Sequence, residues 1–125
     1  MLKLLVMRLA WFFTALIASL VLATVHYVAL TQYLYWTYRW LDTPMHILGG
    51  FALASLLIAF LFRYRPLYFV TGMLIIAVGW EVFEFALGLP QPRDYVLDTA
   101  YDLINDTIGA GIAFILAHYT LWRSV

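Results

Sequence analysis

Four long apolar stretches, each about as long as a bilayer is thick, leave this chain little choice of fold. They cover residues 9–30, 45–62, 67–87 and 97–122. A hydrocarbon core of about 30 Å needs roughly 20 apolar residues as a helix. A spanning segment of that length must satisfy its own backbone, and a helix does so. The expected architecture is therefore all-α: a polytopic membrane protein, one domain over 1–125, folded as a four-transmembrane-helix bundle. The composition agrees, at 66% hydrophobic and 11% charged. Soluble domains sit near 45–50% and about 25%, so an ordinary soluble domain and a disordered tail are both excluded. A formal net charge of +0 provides no basic surface for nucleic acid. With no Cys, thiolate and disulfide chemistry are absent.

The connections set the orientation. Residues 31–44 are long and aromatic, with Tyr33, Tyr35, Trp36, Tyr38 and Trp40. Arg63-Tyr64-Arg65-Pro66 is a tight basic turn, and 88–96, with Pro90 and Pro92, reads as an irregular loop. Lys3, Arg8, Arg63, Arg65 and Arg123 fall on one side, while Arg39 and Arg93 fall on the other. Basic residues favour the cytoplasmic face. The expectation is a multi-pass protein of the cell inner (cytoplasmic) membrane with both termini in the cytoplasm. Lys3 and Arg8 ahead of an apolar run resemble a secretory signal, but the run is long and no small-x-small site follows, so a retained first helix is expected. Trp11, Tyr64, Tyr68, Tyr119 and Trp122 form the matching aromatic belt near the cytoplasmic face.

All seven carboxylates fall on the outer side of this layout: Asp42, Glu81, Glu84, Asp94, Asp98, Asp102 and Asp106. Their spacing is helical. Asp42 and His46 are four apart, Glu81 and Glu84 three apart, and Asp98, Asp102 and Asp106 recur at intervals of four. Such residues share one helix face. The faces continue as small residues: Gly49, Gly50 and Ala54 after His46, Gly109, Ala113 and Ala117 after Asp106, and Ala77 and Gly88 around the glutamates. Small residues line helix contacts in membranes, so the acidic faces are expected to meet one another rather than lipid. Asp98 and Asp42 also suit helix N-termini as caps, Asp42 with Pro44 beside it. Arg93 and Asp94 read as a solvated loop pair, and His26 and His118 as packing or interfacial residues.

Ionisable groups within a span are costly and mark functional sites. Six of the carboxylates converge, and the outer-side cations are Arg39, Arg93 and His46 when protonated. Protons, water or a bound cation must balance the remainder. A cation is the most economical, and Asp42, His46, Glu81, Glu84, Asp98, Asp102 and Asp106 are the candidate metal ligands. Oxygen-rich donors favour Mg²⁺, Mn²⁺ or Ca²⁺, and one imidazole leaves Zn²⁺ open. His46 and Glu84 are the candidate catalytic groups, as general bases.

Three of these elements carry a family resemblance. Asp42-Thr-Pro-Met-His46, Glu81-Val-Phe-Glu84 and Asp102-Leu-Ile-Asn-Asp106-Thr-Ile-Gly109 resemble the Asp-x-x-x-His, Glu-x-x-Gln/Glu and Asp-x-x-x-Asn/Asp-x-x-Gly elements of the VanZ-like group of small bacterial membrane proteins and related uncharacterised families. Glu84 stands where that group commonly has Gln, and Arg93 lies further from Asp102 than its pattern suggests. The resemblance implies a helical bundle with a shared polar site and says little about activity.

Three functional classes follow from the residues. One is a metal-dependent hydrolase or transferase acting on a lipid-linked or amphipathic envelope substrate at the outer leaflet. A second is a proton- or cation-coupled transporter or channel component, and a third is a non-catalytic membrane binding protein. Whether the chain is an enzyme stays open at this point. No Ser-His-Asp order and no phosphate loop appears in the sequence. Expected partners are membrane lipids, an amphipathic small molecule and, as an option, further copies of the chain.

Overall fold

A computed structural model describes residues 1–61, 63–88 and 94–124. The elements follow the hydropathy. Helix α1 spans Leu2–Thr31, a short α2 spans Leu34–Thr37, α3 spans Asp42–Phe60, α4 spans Pro66–Leu87 and α5 spans Tyr95–Thr120. Three-residue 3₁₀ turns cover Arg39–Leu41 and Trp122–Ser124. Among the described residues, four helices are long and apolar enough to cross a membrane: α1, α3 with its preceding turn, α4 and α5. The protein is thus an all-α four-helix bundle of the kind the apolar stretches require. The prolines Pro90 and Pro92, Arg93 and the end of the second stretch at position 62 lie outside the described residues.

The helix ends have local causes. Tyr33 adopts a left-handed conformation (φ 56°) where the chain leaves α1 and turns into α2. Pro66 opens α4, where its missing N–H is harmless. Gly88, at φ 61°, closes α4 in the left-handed conformation that glycine adopts without a side-chain clash. Asp94 caps α5, its carboxylate accepting from Leu97 N–H at 3.2 Å. Two sequence expectations are corrected here. The cap of α5 is Asp94, not Asp98, which sits inside the first turn, so Asp94 is not merely part of a solvated loop pair. Asp42 does not cap α3 either: the preceding 3₁₀ turn carries the chain into the helix, and Leu41 holds the cap position without a side-chain bond.

Helix α3 is the centre of the molecule, packed closely on α1 and on α5, while α4 lies lightly against α3 and α5. The closest approach is between α3 and α5, and glycine permits it. A Cβ on Gly50 would collide with the backbone of Asp106, and one on Gly109 would collide with the carbonyl of Ile47 and the amide of Phe51. Ala54, Ala110, Ala113 and Ala117 are buried along the same seam. The small-residue faces of α3 and α5 therefore pack as expected. That of α4 does not pack so closely: Gly88 is a helix end in the open, and Ala77 is only half-buried.

Below the seam lies the hydrophobic core, which gathers Trp11, Ile58, Phe69, Met73, Leu121 and Trp122. Phe114 stacks against Phe69 and Trp122 at centroid distances of 4.9 and 5.3 Å. Arg8 Nε donates to the carbonyl of Ala59 at 2.8 Å, placing a cation at the C-terminal end of α3, where the helix dipole favours it. Trp11 Nε1 donates to Thr120 Oγ1 at 3.3 Å and ties α1 to α5 at the same end.

Candidate functional site

The glycine seam ends in a polar cluster. Because α3 and α5 approach so closely at Gly50 and Gly109, the turns just beyond bring His46 of α3 against Asp102 and Asp106 of α5. His46 Nδ1 lies 3.1 Å from Asp106 Oδ1. A carboxylate only accepts, so the ring N–H on Nδ1 donates to it. The opposite nitrogen, Nε2, lies 3.4 Å from Asp102 Oδ1 and 3.7 Å from Asp42 Oδ1. Asp102 is buried, at 5% exposure. Asp42 sits one turn before His46 on α3 and is the most open of the group.

Asp42, His46 and Asp102 each offer a donor atom, and these atoms lie within 4.8 Å of one another. The chemistry of the set fits a metal cation. Two carboxylate oxygens and one imidazole nitrogen converge, and the same imidazole is held from behind by a third carboxylate. A metal-binding His usually donates its second ring N–H in this way, which fixes the tautomer and aims the lone pair. Without a positive charge near it, a bare Nε2 lone pair would face two carboxylates. Either a proton on Nε2 or a cation between the three atoms resolves the conflict.

The other sequence candidates are arranged differently. Glu81 on α4 is buried, at 6% exposure, and its Oε2 accepts from Thr99 Oγ1 at 3.1 Å. Its Oε1 is covered and has no partner. Glu84 on α4 and Asp98 on α5 are half-buried and stand outside the group of three. Asp106 holds the far ring nitrogen. The acids of α3, α4 and α5 do share one end of the bundle, but the close geometry belongs to α3 and α5.

Two contacts were not legible from spacing. Thr99 as partner of Glu81 has no signature, since a threonine inside a helix more often bonds its own turn, as Thr107 does to Leu103. The second contact is between His26 and Tyr35: Nδ1 and Oη lie 2.8 Å apart, joining α1 to α2. Tyr35 is half-buried, and its hydroxyl is pushed up to about 12 by burial and by the nearby charges of Asp42 and Glu84. It therefore stays protonated and can donate to His26. The connection at 31–44 thus forms a folded cover beside the cluster, with Tyr33, Trp36, Tyr38 and Trp40 exposed. His118 stacks edge-on against Tyr64 at 5.6 Å, a packing role as expected.

No family model, curated protein or solved structure matches the chain. The fold and the cluster therefore carry the functional reading.

Proposed function

We propose that this multi-pass membrane protein holds one divalent cation between Asp42, His46 and Asp102, and uses the site to bind or act on an amphipathic lipid or envelope substrate at the outer leaflet. A VanZ-like relationship and an inner-membrane location with cytoplasmic termini belong to the same proposal. The observation that carries it is the two-sided hold on His46: Asp106 behind the ring and two carboxylates in front. Mg²⁺, Mn²⁺ and Ca²⁺ suit the oxygens, and the imidazole keeps Zn²⁺ in the comparison.

When bound, such a cation polarises a phosphoryl or acyl oxygen and makes water more acidic. The chain's own residues would do the rest. Asp106 keeps His46 in one tautomer, and Asp102 and Asp42 hold negative charge at fixed positions. Glu84, on the loosely packed α4 and outside the ligand group, is the carboxylate suited to take a proton from water or substrate. The aromatic cover at 31–44 would meet the headgroup layer.

A second reading rests on the same contacts. His46 as an imidazolium would direct one N–H to Asp106 and the other toward Asp102, with Asp42 close by at 3.7 Å, and pin α3 to α5. The cluster would then serve structure or proton binding. A through-going relay is disfavoured in the monomer, because Ala54, Ile58, Ala113 and Ala117 seal the seam below.

Metal analysis of the purified protein, after supply of Mg²⁺, Mn²⁺, Ca²⁺ and Zn²⁺ in turn, separates the two. The cation reading expects stoichiometric loading that Asp102→Asn and His46→Ala abolish. Equally low metal in wild type and variants sinks it in favour of the imidazolium.

A further inference from the structure

Between α4 and α5, beside the cluster, lies a cleft of about 350 Å³. Val78, Val82 and Phe85 line it from α4, and Leu103 and Tyr95 from α5. Phe85 and Tyr95 close on each other at a centroid distance of 5.9 Å. Two polar side chains interrupt the apolar wall, Thr99 and Glu81. They bond each other through Oε2, which leaves the covered Oε1 as an acceptor with no donor. A buried carboxylate oxygen in that state is unfavourable by more than most hydrogen bonds contribute. The charge around it is mostly of one sign: Asp98, Asp102, Asp106 and Glu84 are near neighbours on α4 and α5, and His46 is the one basic group of the cluster among the described residues.

We propose that the α4–α5 cleft is a binding site for a lipophilic amine, with the hydrocarbon chain along Val78, Val82 and Leu103 and the ammonium donating to Glu81. Charge complementarity selects the headgroup, and the apolar wall selects the chain. An anionic or phosphate head would meet repulsion from the acids, and a neutral alcohol would satisfy Oε1 without offsetting its charge. Entry requires Oε1 to be uncovered, and the light packing of α4 allows that helix to give. The inference deepens the amphipathic-ligand half of the reading above and does not depend on the metal half.

The test uses the full-length protein in nanodiscs and a photoreactive long-chain primary amine, with the matching alcohol as control. Labelled peptides are mapped by mass spectrometry, and dodecylamine and dodecanol are the competitors. The expected result is saturable labelling of the segments around Val82 and Leu103, with a preference for amine over alcohol of about tenfold or more, as a charge-assisted bond implies. Glu81→Gln should lose that preference while the chain still labels the cleft. Leu103→Trp, which fills the cleft and keeps Glu81, should lose labelling by both probes, so the proposal is tested even where Glu81→Gln does not fold. Equal labelling by amine and alcohol in wild type, which is filling by any acyl chain, overturns it. So does a preference that survives Glu81→Gln, or labelling that Leu103→Trp leaves intact. Metal content is measured on the same samples. Amine preference that persists in Asp102→Asn leaves this site standing whatever becomes of the cation, and preference that vanishes with Asp102→Asn overturns it.

Discussion

His46 has two nitrogens and three carboxylates to satisfy, and that imbalance makes the residue testable. If Asp106 only orients the ring, Asp106→Asn should keep the fold and weaken cation affinity by about 10–100-fold. His46→Ala should remove binding altogether. Titration of the purified protein with the loading metal reads both. Cation binding requires a deprotonated Nε2 and ionised carboxylates, so affinity should fall as pH is lowered, with protons released on loading at neutral pH. An affinity that is flat with pH would count against His46 as a ligand. Tyr35 makes a separate prediction. Its hydroxyl titrates near 12 in the folded chain, against an ordinary value of 10.0. The contribution of this group to holding α2 against α1 is thus present in full below about 10 and is lost as pH rises through about 12. Ultraviolet titration of wild type against Tyr35→Phe should show one late tyrosine missing in the variant.

At the scale of the helices, the α3–α5 seam decides whether the site forms. Gly50→Ala or Gly109→Ala places a methyl group where backbone already lies, so each should destabilise by about 1–3 kcal/mol or more. Each should also weaken metal loading, by wedging His46 away from Asp102. Gly79→Ala and Gly111→Ala, with nothing within 4 Å, should leave both unchanged. Melting in detergent and metal content check all four. This seam was legible in the sequence because acid and small residues share one period on α3 and on α5, and that coincidence has one packing solution. The place of α4 was not legible. Glu81 and Glu84 share one helix face as the other acids do, but the residues that seat α4 are the large Phe69 and Met73, and large residues in a membrane do not say which helix they face. The caps were misassigned for a related reason. Asp42, Asp94 and Asp98 are all acceptable first-turn residues, and the turn geometry chooses among them.

For the whole molecule, four crossings would put both ends of the described chain on one side of the membrane, and the proposed orientation takes that side as the cytoplasm from the distribution of Lys and Arg. The chain has no Cys, so single cysteines report cleanly. A cysteine replacing Thr37 should react with an impermeant reagent in intact cells, and one replacing Lys3 only after permeabilisation. The reverse pattern would move the acidic end of the bundle to the inside and with it the expected substrate. The interlocked glycines have one mechanical consequence. Sliding one helix past the other by a single turn, about 5.4 Å, would drive methyl groups and side chains into backbone at both contact points. The central pair therefore behaves as a rigid post. Any breathing of the molecule falls to α4, the strut leaning beside it, so opening and closing of the bundle would change what reaches Glu81 while leaving the imidazole and its three aspartates in register.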